Sequence, residues 1–161
     1  MRFRLATWLW ACGGGLLPAL ASGAVSCTVS ATGPIFGIYN PLSATPTYAN
    51  GQVQASCTLL SGGATTVTLV SSYSTGKSGS YALRSMASAA NLLNYNLFFD
   101  AAYTQIRGDG TGGSQTGGAS FALTPGNPTQ STTSTIYGRI PASQDAAAGA
   151  YADTIVVTVT Y

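Results

Sequence analysis

Histidine and glutamate do not occur in this sequence, and charged residues of all kinds make up only 6% of it. The first absence removes the commonest general base and the commonest metal ligand. A Ser-His-Asp arrangement is therefore impossible. The acids are Asp100, Asp109, Asp145 and Asp153. A paired-carboxylate hydrolase needs two of them across a cleft. Asp100 and Asp109, with Arg107 beside them, are the candidate pair, but nothing else around them completes such a site. Asp145 and Asp153 fall at a turn and at a strand entrance, where an aspartate hydrogen-bonds local amides. A calcium site would have to be built from Asp100, Asp109 and backbone carbonyls, a ligand spacing that is not diagnostic. The two cysteines left after export do not complete a zinc site. No catalytic residue, metal site or cofactor is assigned, and the chain is not read as an enzyme.

Gly108-Asp109-Gly110-Thr111-Gly112-Gly113 has the look of a phosphate-cradling loop. It lacks the Lys-Ser/Thr and the helix that such a loop must be followed by. It reads as a long β-loop.

Long apolar runs are also scarce, and the longest has a different meaning. Arg2 and Arg4 precede an apolar stretch from Leu5 to Leu20, which ends in the small residues Ala19 to Ala24. This is the three-part pattern of a cleavable export signal. A membrane helix needs about 20 apolar residues, and this stretch is shorter and rich in glycine. Cleavage is expected after Ala24, with Ala21 as the second choice, so residues 1–24 are the signal and residues 25–161 the exported domain. Cys12 leaves with the signal, as do both tryptophans, Trp8 and Trp10. About 137 residues remain, one domain's worth of chain. Lys77, Arg84, Arg107 and Arg139 then balance the four aspartates. A surface for nucleic acid needs a basic field, and this one is neutral. The expected place of work is outside the cytosol. Cys27 and Cys57, an even pair in an exported chain, read as one disulfide.

What is present is strand signal. Cys27 to Ser30 is short and β-prone, and Ile35 to Tyr39 is a second apolar segment fenced by prolines. Asn40 to Gly51 reads as loop, with a tight turn at Asn50-Gly51. Gln52 to Leu60 alternates, placing Val53, Ala55, Cys57 and Leu59 on one face. Gly62-Gly63 ends that run, and Thr66 to Ser72 follows as its hairpin partner or antiparallel neighbour, with Val67 and Leu69 inward. A turn at Gly76–Gly79 precedes a short strand around Tyr81–Arg84. Met86 to Ala90 is the best helical segment. Asn91 to Asp100 is a strong strand with Leu93, Tyr95, Leu97 and Phe99 on one face, and its mixed second face suggests a central place or an interface. Gly108 to Gly118 is loop, Phe121 and Leu123 an inward pair, and Ser131 to Ile140 a further strand. Ile155, Val157, Val159 and Tyr161 alternate to the last residue. Tyr95, Phe99, Phe121 and Tyr161 are expected in the core, and Tyr39, Tyr48, Tyr73 and Tyr103 at the surface. Seven or more short strands at regular turn spacing favour an all-β sandwich.

Four stretches taken together resemble a known family. They are Tyr95-Asn96-Leu97-Phe98-x-Asp100, Gly108-Asp109-Gly110-Thr111-Gly112, Tyr137-Gly138-Arg139-Ile140-Pro141-x-x-Gln144, and Ala148-Gly149-x-Tyr151-x-Asp153-Thr154-Ile155 running on to Tyr161. The likeness is to the spore coat protein U domain and extends from Cys27 to Tyr161. That family includes pilin subunits of archaic chaperone–usher pili of the Csu type. The resemblance implies an immunoglobulin-like β-sandwich that lacks its last strand. A periplasmic pilus chaperone, an outer-membrane usher and a neighbouring pilin subunit would be its partners. A strand from a partner would complete the sheet by main-chain bonds along an open edge. Ile155, Val157, Val159 and Tyr161 would form one rim of the receiving groove, with the strand around Cys27 to Ala31 near the other. Cys27 and Cys57 match the family's bridge.

One departure shapes the expected role. Only Val25 and Ser26 separate the preferred cleavage point from Cys27, whereas polymerising pilins of this type carry a donor segment there. The expectation is a terminal or minor subunit that accepts a strand and does not pass one on, in the periplasm during transit and then at the cell surface. The alternative is an adhesin whose loops, Pro34–Gly37 or Tyr73–Ser80, contact a host or abiotic surface.

Overall fold

The computed structural model describes residues 23–161. The export signal assigned to residues 1–24, Cys12 included, lies outside that span except for its last two residues. The described residues form eight strands: β1 (Ala24–Thr32), β2 (Thr47–Ser61), β3 (Thr65–Tyr73), β4 (Arg84–Ser88), β5 (Asn91–Phe98), β6 (Gly117–Leu123), β7 (Thr129–Ile140) and β8 (Val157–Thr160). They form a five-stranded sheet ordered β1-β2-β7-β5-β4 and a three-stranded sheet ordered β6-β3-β8. Every ladder is antiparallel. The expected all-β sandwich with one disulfide is borne out.

The period-two patterns place the core. Val53, Ala55, Cys57 and Leu59 are buried on the inner face of β2, and Val67 and Leu69 face them from β3. Ala55, Cys57, Leu59, Val67, Leu69 and Leu123 make one apolar cluster, against which Val25, Cys27, Phe121 and Val159 pack. A second cluster joins Val53, Tyr73, Met86, Leu93, Tyr95, Leu97, Ile136 and Ile140. Removing such side chains from water is the main favourable contribution to folding. Cys27 and Cys57 are direct cross-strand partners on β1 and β2, and their sulfurs are bonded at 2.03 Å.

Several expectations from the sequence are corrected. Asn50-Gly51 is no tight turn: both residues lie within β2. The glycine serves close packing instead, because a Cβ at Gly51 would collide with the Thr32 carbonyl oxygen at the end of β1. β2 and β3 are not hairpin partners but belong to opposite sheets. Met86–Ala90 is not helical. It forms most of β4 and the turn after it, and pairs with β5. The ladder to Leu93 and Leu92 outweighs the helical propensity of Met and Ala in so short a segment. The strand placed at Tyr81–Arg84 accordingly begins only at Arg84. Ile35–Tyr39 takes no strand pairing, and Gly117-Gly118 open β6 rather than ending a loop. Tyr73 is a core residue at 2% exposure, not a surface one, and Tyr161 is 62% exposed rather than in the core.

Replacing both Cys27 and Cys57 by serine should lower stability by about 3–4 kcal/mol, the loop-closure value for a bridge spanning 30 residues. Urea unfolding of the double variant against the parent measures it, and an unchanged midpoint would show that the bridge constrains nothing.

Candidate functional site

The two sheets are unequal, and their free edges define the site. β8 bonds to β3 along one side only, and its other side pairs with no described strand. β1 is the outer strand of the wider sheet. Its inner-face residues are Val25, Cys27, Val29 and Ala31, since Cys27 lies opposite Cys57, Val29 opposite Ala55 and Ala31 opposite Val53. The β2 partners are buried, yet Val29 is 43% exposed and Ala31 is exposed. The inner face of β1 therefore lacks a cover that the inner face of β2 has.

Next to this gap an apolar groove of about 1050 Å³ opens between residues 31–41 and residues 146–157. Its floor is the second core cluster, including Tyr73, Leu93, Tyr95, Leu97, Ile136 and Ile140. Each wall is held by specific contacts. On the first, the Phe36 ring stands edge-on to Tyr95 at 6.1 Å. Gly138 makes room for it, because a Cβ there would lie 2.7 Å from the ring. The Tyr39 hydroxyl donates to the Pro141 carbonyl and accepts from the Gln144 amide. On the second, Asp153 accepts hydrogen bonds from the Lys77 amide, the Thr154 amide and the Tyr95 hydroxyl, the last at 2.7 Å. Burial, and then Asp153, push the Tyr95 hydroxyl well above the usual phenol range, so it remains a donor at any physiological pH. Asp153 thus caps a local amide, as expected, and also ties its wall to the floor.

The four alternating C-terminal residues are divided. Ile155 and Val157 line the groove, Val159 packs on the cluster around Cys57, and Tyr161 projects into solvent. Of the expected opposite side, Ala31 reaches the groove.

Asp100 and Asp109 do not converge on a common cleft. Asp100 accepts from the Thr104 amide and hydroxyl and the Gln105 amide. Asp109 accepts from the Thr111 amide and hydroxyl. Arg107 turns away from both into the core. It donates to the Phe98 and Thr135 carbonyls, the Tyr73 hydroxyl and Ser134, and its guanidinium lies 3.9 Å from the Phe99 ring centroid. Arg84, equally buried, donates to the Ser74 and Arg107 carbonyls and to Asn96. Burial lowers both guanidinium pKa values. These two side chains bind the β3 end to β4, β5 and β7, and sequence reasoning missed them. The one available signal was that two of so few cations sit between apolar strands.

A family model, that of the Spore Coat Protein U domain, matches residues 15–158. No curated protein sequence matches. Among solved structures, the chain is similar to one in the crystal structure of the CsuC–CsuE chaperone–tip adhesion subunit pre-assembly complex from archaic chaperone-usher Csu pili of Acinetobacter baumannii. The TM-score is 0.50 at 17% identity, over 86% of this chain and 40% of that one. The chain therefore spans well under half the length of that relative, and the likeness is one of fold.

Two predictions follow from the walls and the capped loop. Gly138→Ala should cost about 1–3 kcal/mol, the usual range for overpacking, and displace the Phe36 ring. Urea unfolding reads the cost, and loss of the ring-current shifts around residue 138 reads the displacement. Asp100 titrates below the usual aspartate range because the Gln105 and Thr104 amides stabilise its anion. A depressed folded pKa means that the clamp is present above the ordinary value of about 3.9. It is lost only as pH falls through the lower one. The Thr104 and Gln105 amide resonances should follow that low midpoint in an NMR titration, and a midpoint at or above the ordinary value would contradict the assignment.

Proposed function

The chain belongs to the spore coat protein U domain family, and from that premise we propose that it is a structural subunit of an archaic chaperone–usher pilus or a related surface assembly, completed by a strand from a partner. The observation that carries this reading is the side of β8 that pairs with no strand among the described residues, beside an apolar groove and an uncovered β1 face. An open strand edge is a template for pairing and an aggregation hazard if left bare. A donor segment laid along β8 would find main-chain groups to bond, while alternate side chains entered the groove. Ile155, Val157, Val159 and Tyr161 are the proposed rim on that side, and Val29 and Ala31 the face to be covered on the other.

The partners proposed are a periplasmic chaperone that lends a strand, an outer-membrane usher, and the neighbouring subunit that replaces the chaperone. The domain is then residues 25–161, exported to the periplasm and displayed at the cell surface. Cleavage after Ala24 would leave Val25 and Ser26 ahead of Cys27, and these already belong to β1. A subunit so processed would accept a strand without passing one on, and would sit at a pilus end or in a minor position. This reading assigns the chain no catalysis.

A surface-binding adhesin is the second reading, and one feature favours it. Beside the anchoring rings of Phe36 and Tyr39, Ile35, Ile38 and Leu42 are 84%, 96% and 92% exposed. Three large aliphatic side chains on one segment are a contact surface of the kind that marks an interaction site. They extend past the expected Pro34–Gly37 loop. The Tyr73–Ser80 turn offers nothing comparable, since its one aromatic residue is buried.

Coexpression with and without a chaperone of this pathway, followed by size-exclusion chromatography of the periplasmic fraction, tests the leading reading. The chain should be recovered in a one-to-one complex with the chaperone and be degraded or aggregated without it. A stable, monodisperse monomer in the absence of any chaperone would defeat the proposal.

A further inference from the structure

The outer face of the five-stranded sheet, remote from the groove, carries a second feature that strand completion does not use. Alternation directs Ile136, Gly138 and Ile140 of β7 inward, so Tyr137 and Arg139 project outward. Their ladder partners Phe98, on β5, and Tyr48, on β2, share that outer face. The outer face of a sandwich sheet is ordinarily polar, yet here aromatic rings gather. Tyr103, from the loop after β5, packs on Tyr48 at 4.7 Å, on Phe98 at 5.5 Å and on Tyr137 at 6.3 Å between ring centroids. Its backbone is in the left-handed region at φ 57°, which a bulky residue adopts only where the surroundings enforce it. The hydrogen bonds to Asp100 hold the following residues, Thr104 and Gln105, and so fix this loop.

The polar groups of the patch are unspent. The Arg139 guanidinium carbon lies 5.1 Å from the Phe98 ring centroid and 5.7 Å from that of Tyr103. It donates no hydrogen bond and pairs with no acid among the described residues. The hydroxyls of Tyr48, Tyr103 and Tyr137 are likewise without protein partners there. No buried side-chain nitrogen or oxygen lacks a partner among the described residues, so the groups of Arg139, Tyr103 and Tyr137 reach solvent, as does the exposed Tyr48. Arg84 and Arg107 are fully buried, which leaves Arg139 and Lys77 as the cations that a ligand can reach among the described residues. A guanidinium beside two rings, with none of its N–H donors used, keeps its planar fork available, the group that grips a carboxylate. The 51% exposed Tyr48 ring beside it offers a flat apolar face to the C–H face of a sugar ring.

We propose that this patch binds an acidic saccharide, a pyranose whose carboxylate is held by Arg139 while its ring stacks on Tyr48 and hydrogen-bonds the tyrosine hydroxyls. The charge selects the occupant: a neutral sugar would leave the guanidinium unused, and a second copy of this face would bring Arg139 against Arg139.

Isothermal titration of the exported chain, in the form in which it is purified from the periplasm, tests this with three probes. Oligogalacturonate carries the carboxylate within a chain and sialyllactose carries it at a terminus. Methyl-esterified oligogalacturonate has the same rings without the charge. At least one acidic probe should bind, and the ester about tenfold or more weakly, as expected for loss of a charge-assisted contact. Arg139→Gln should reduce acid binding to the level of the ester and leave ester binding unchanged. Tyr48→Ala, at an exposed position, should weaken both. Equal affinity for acid and ester, no binding of either acidic probe, or acid binding that survives Arg139→Gln would each overturn the proposal. So would self-association of the free chain that is abolished by Tyr48→Ala, which would make the face a contact between copies.

Discussion

The apolar floor formed by Tyr73, Leu93, Tyr95, Leu97, Ile136 and Ile140 has to be kept from water, and the three-stranded sheet opposite is narrower than the five-stranded sheet it covers. That mismatch governs much else in the molecule. Two irregular segments lean over the floor in place of strands, one anchored by Phe36 and Tyr39 and the other by Asp153. Neither supplies a ladder to the free side of β8. Side-chain contacts can shield part of an apolar face, but only another backbone can saturate a row of main-chain donors and acceptors. An extended segment laid along β8, as proposed above, would supply that backbone.

The same constraint explains the placement of charge. With two layers of unequal width, the ends of β3, β4, β5 and β7 meet around main-chain carbonyls that no strand pairs. Arg84 and Arg107 fill that space, spreading their donors over the carbonyls of Ser74, Phe98, Arg107 and Thr135. A buried cation without an anionic partner is costly. Here the cost is offset by several hydrogen bonds to each guanidinium and by the rings of Tyr73, Phe99 and Tyr81 beneath them. The polar junction holds the floor rigid while its apolar part stays open.

Strong alternation was legible from residues alone. The inner faces of β2 and β5, the Cys27–Cys57 bridge and the direction of Ile155 and Val157 all follow from a period of two and from export. Boundaries set by tertiary contact were not. Asn50-Gly51 carries a turn signal, yet the glycine is there to let β1 pass close to β2. Met86–Ala90 has helical residues, yet the β5 edge recruits it as a strand. Tyr73 ends a strand and reads as a loop residue, but it is drawn into the core by Arg107. The groove itself was legible only through the family resemblance, because no local pattern announces that a sheet is one strand short. The aromatic patch around Arg139 was half legible: Tyr48 and Tyr103 fall near loops, but only the ladder register brings them to Tyr137 and Arg139.

The central claim is that β8 is an unfinished edge waiting for a partner's strand. Hydrogen exchange along Val157–Thr160, with the chaperone bound and with the chaperone released into conditions that keep the chain soluble, tests it most directly. Amides on the side of β8 that does not face β3 should be strongly protected in the complex and exchange freely once the chaperone is gone, while those bonded to β3 stay protected longer. Equal protection of both sides in the free chain would mean that the edge is already closed, and would contradict the account.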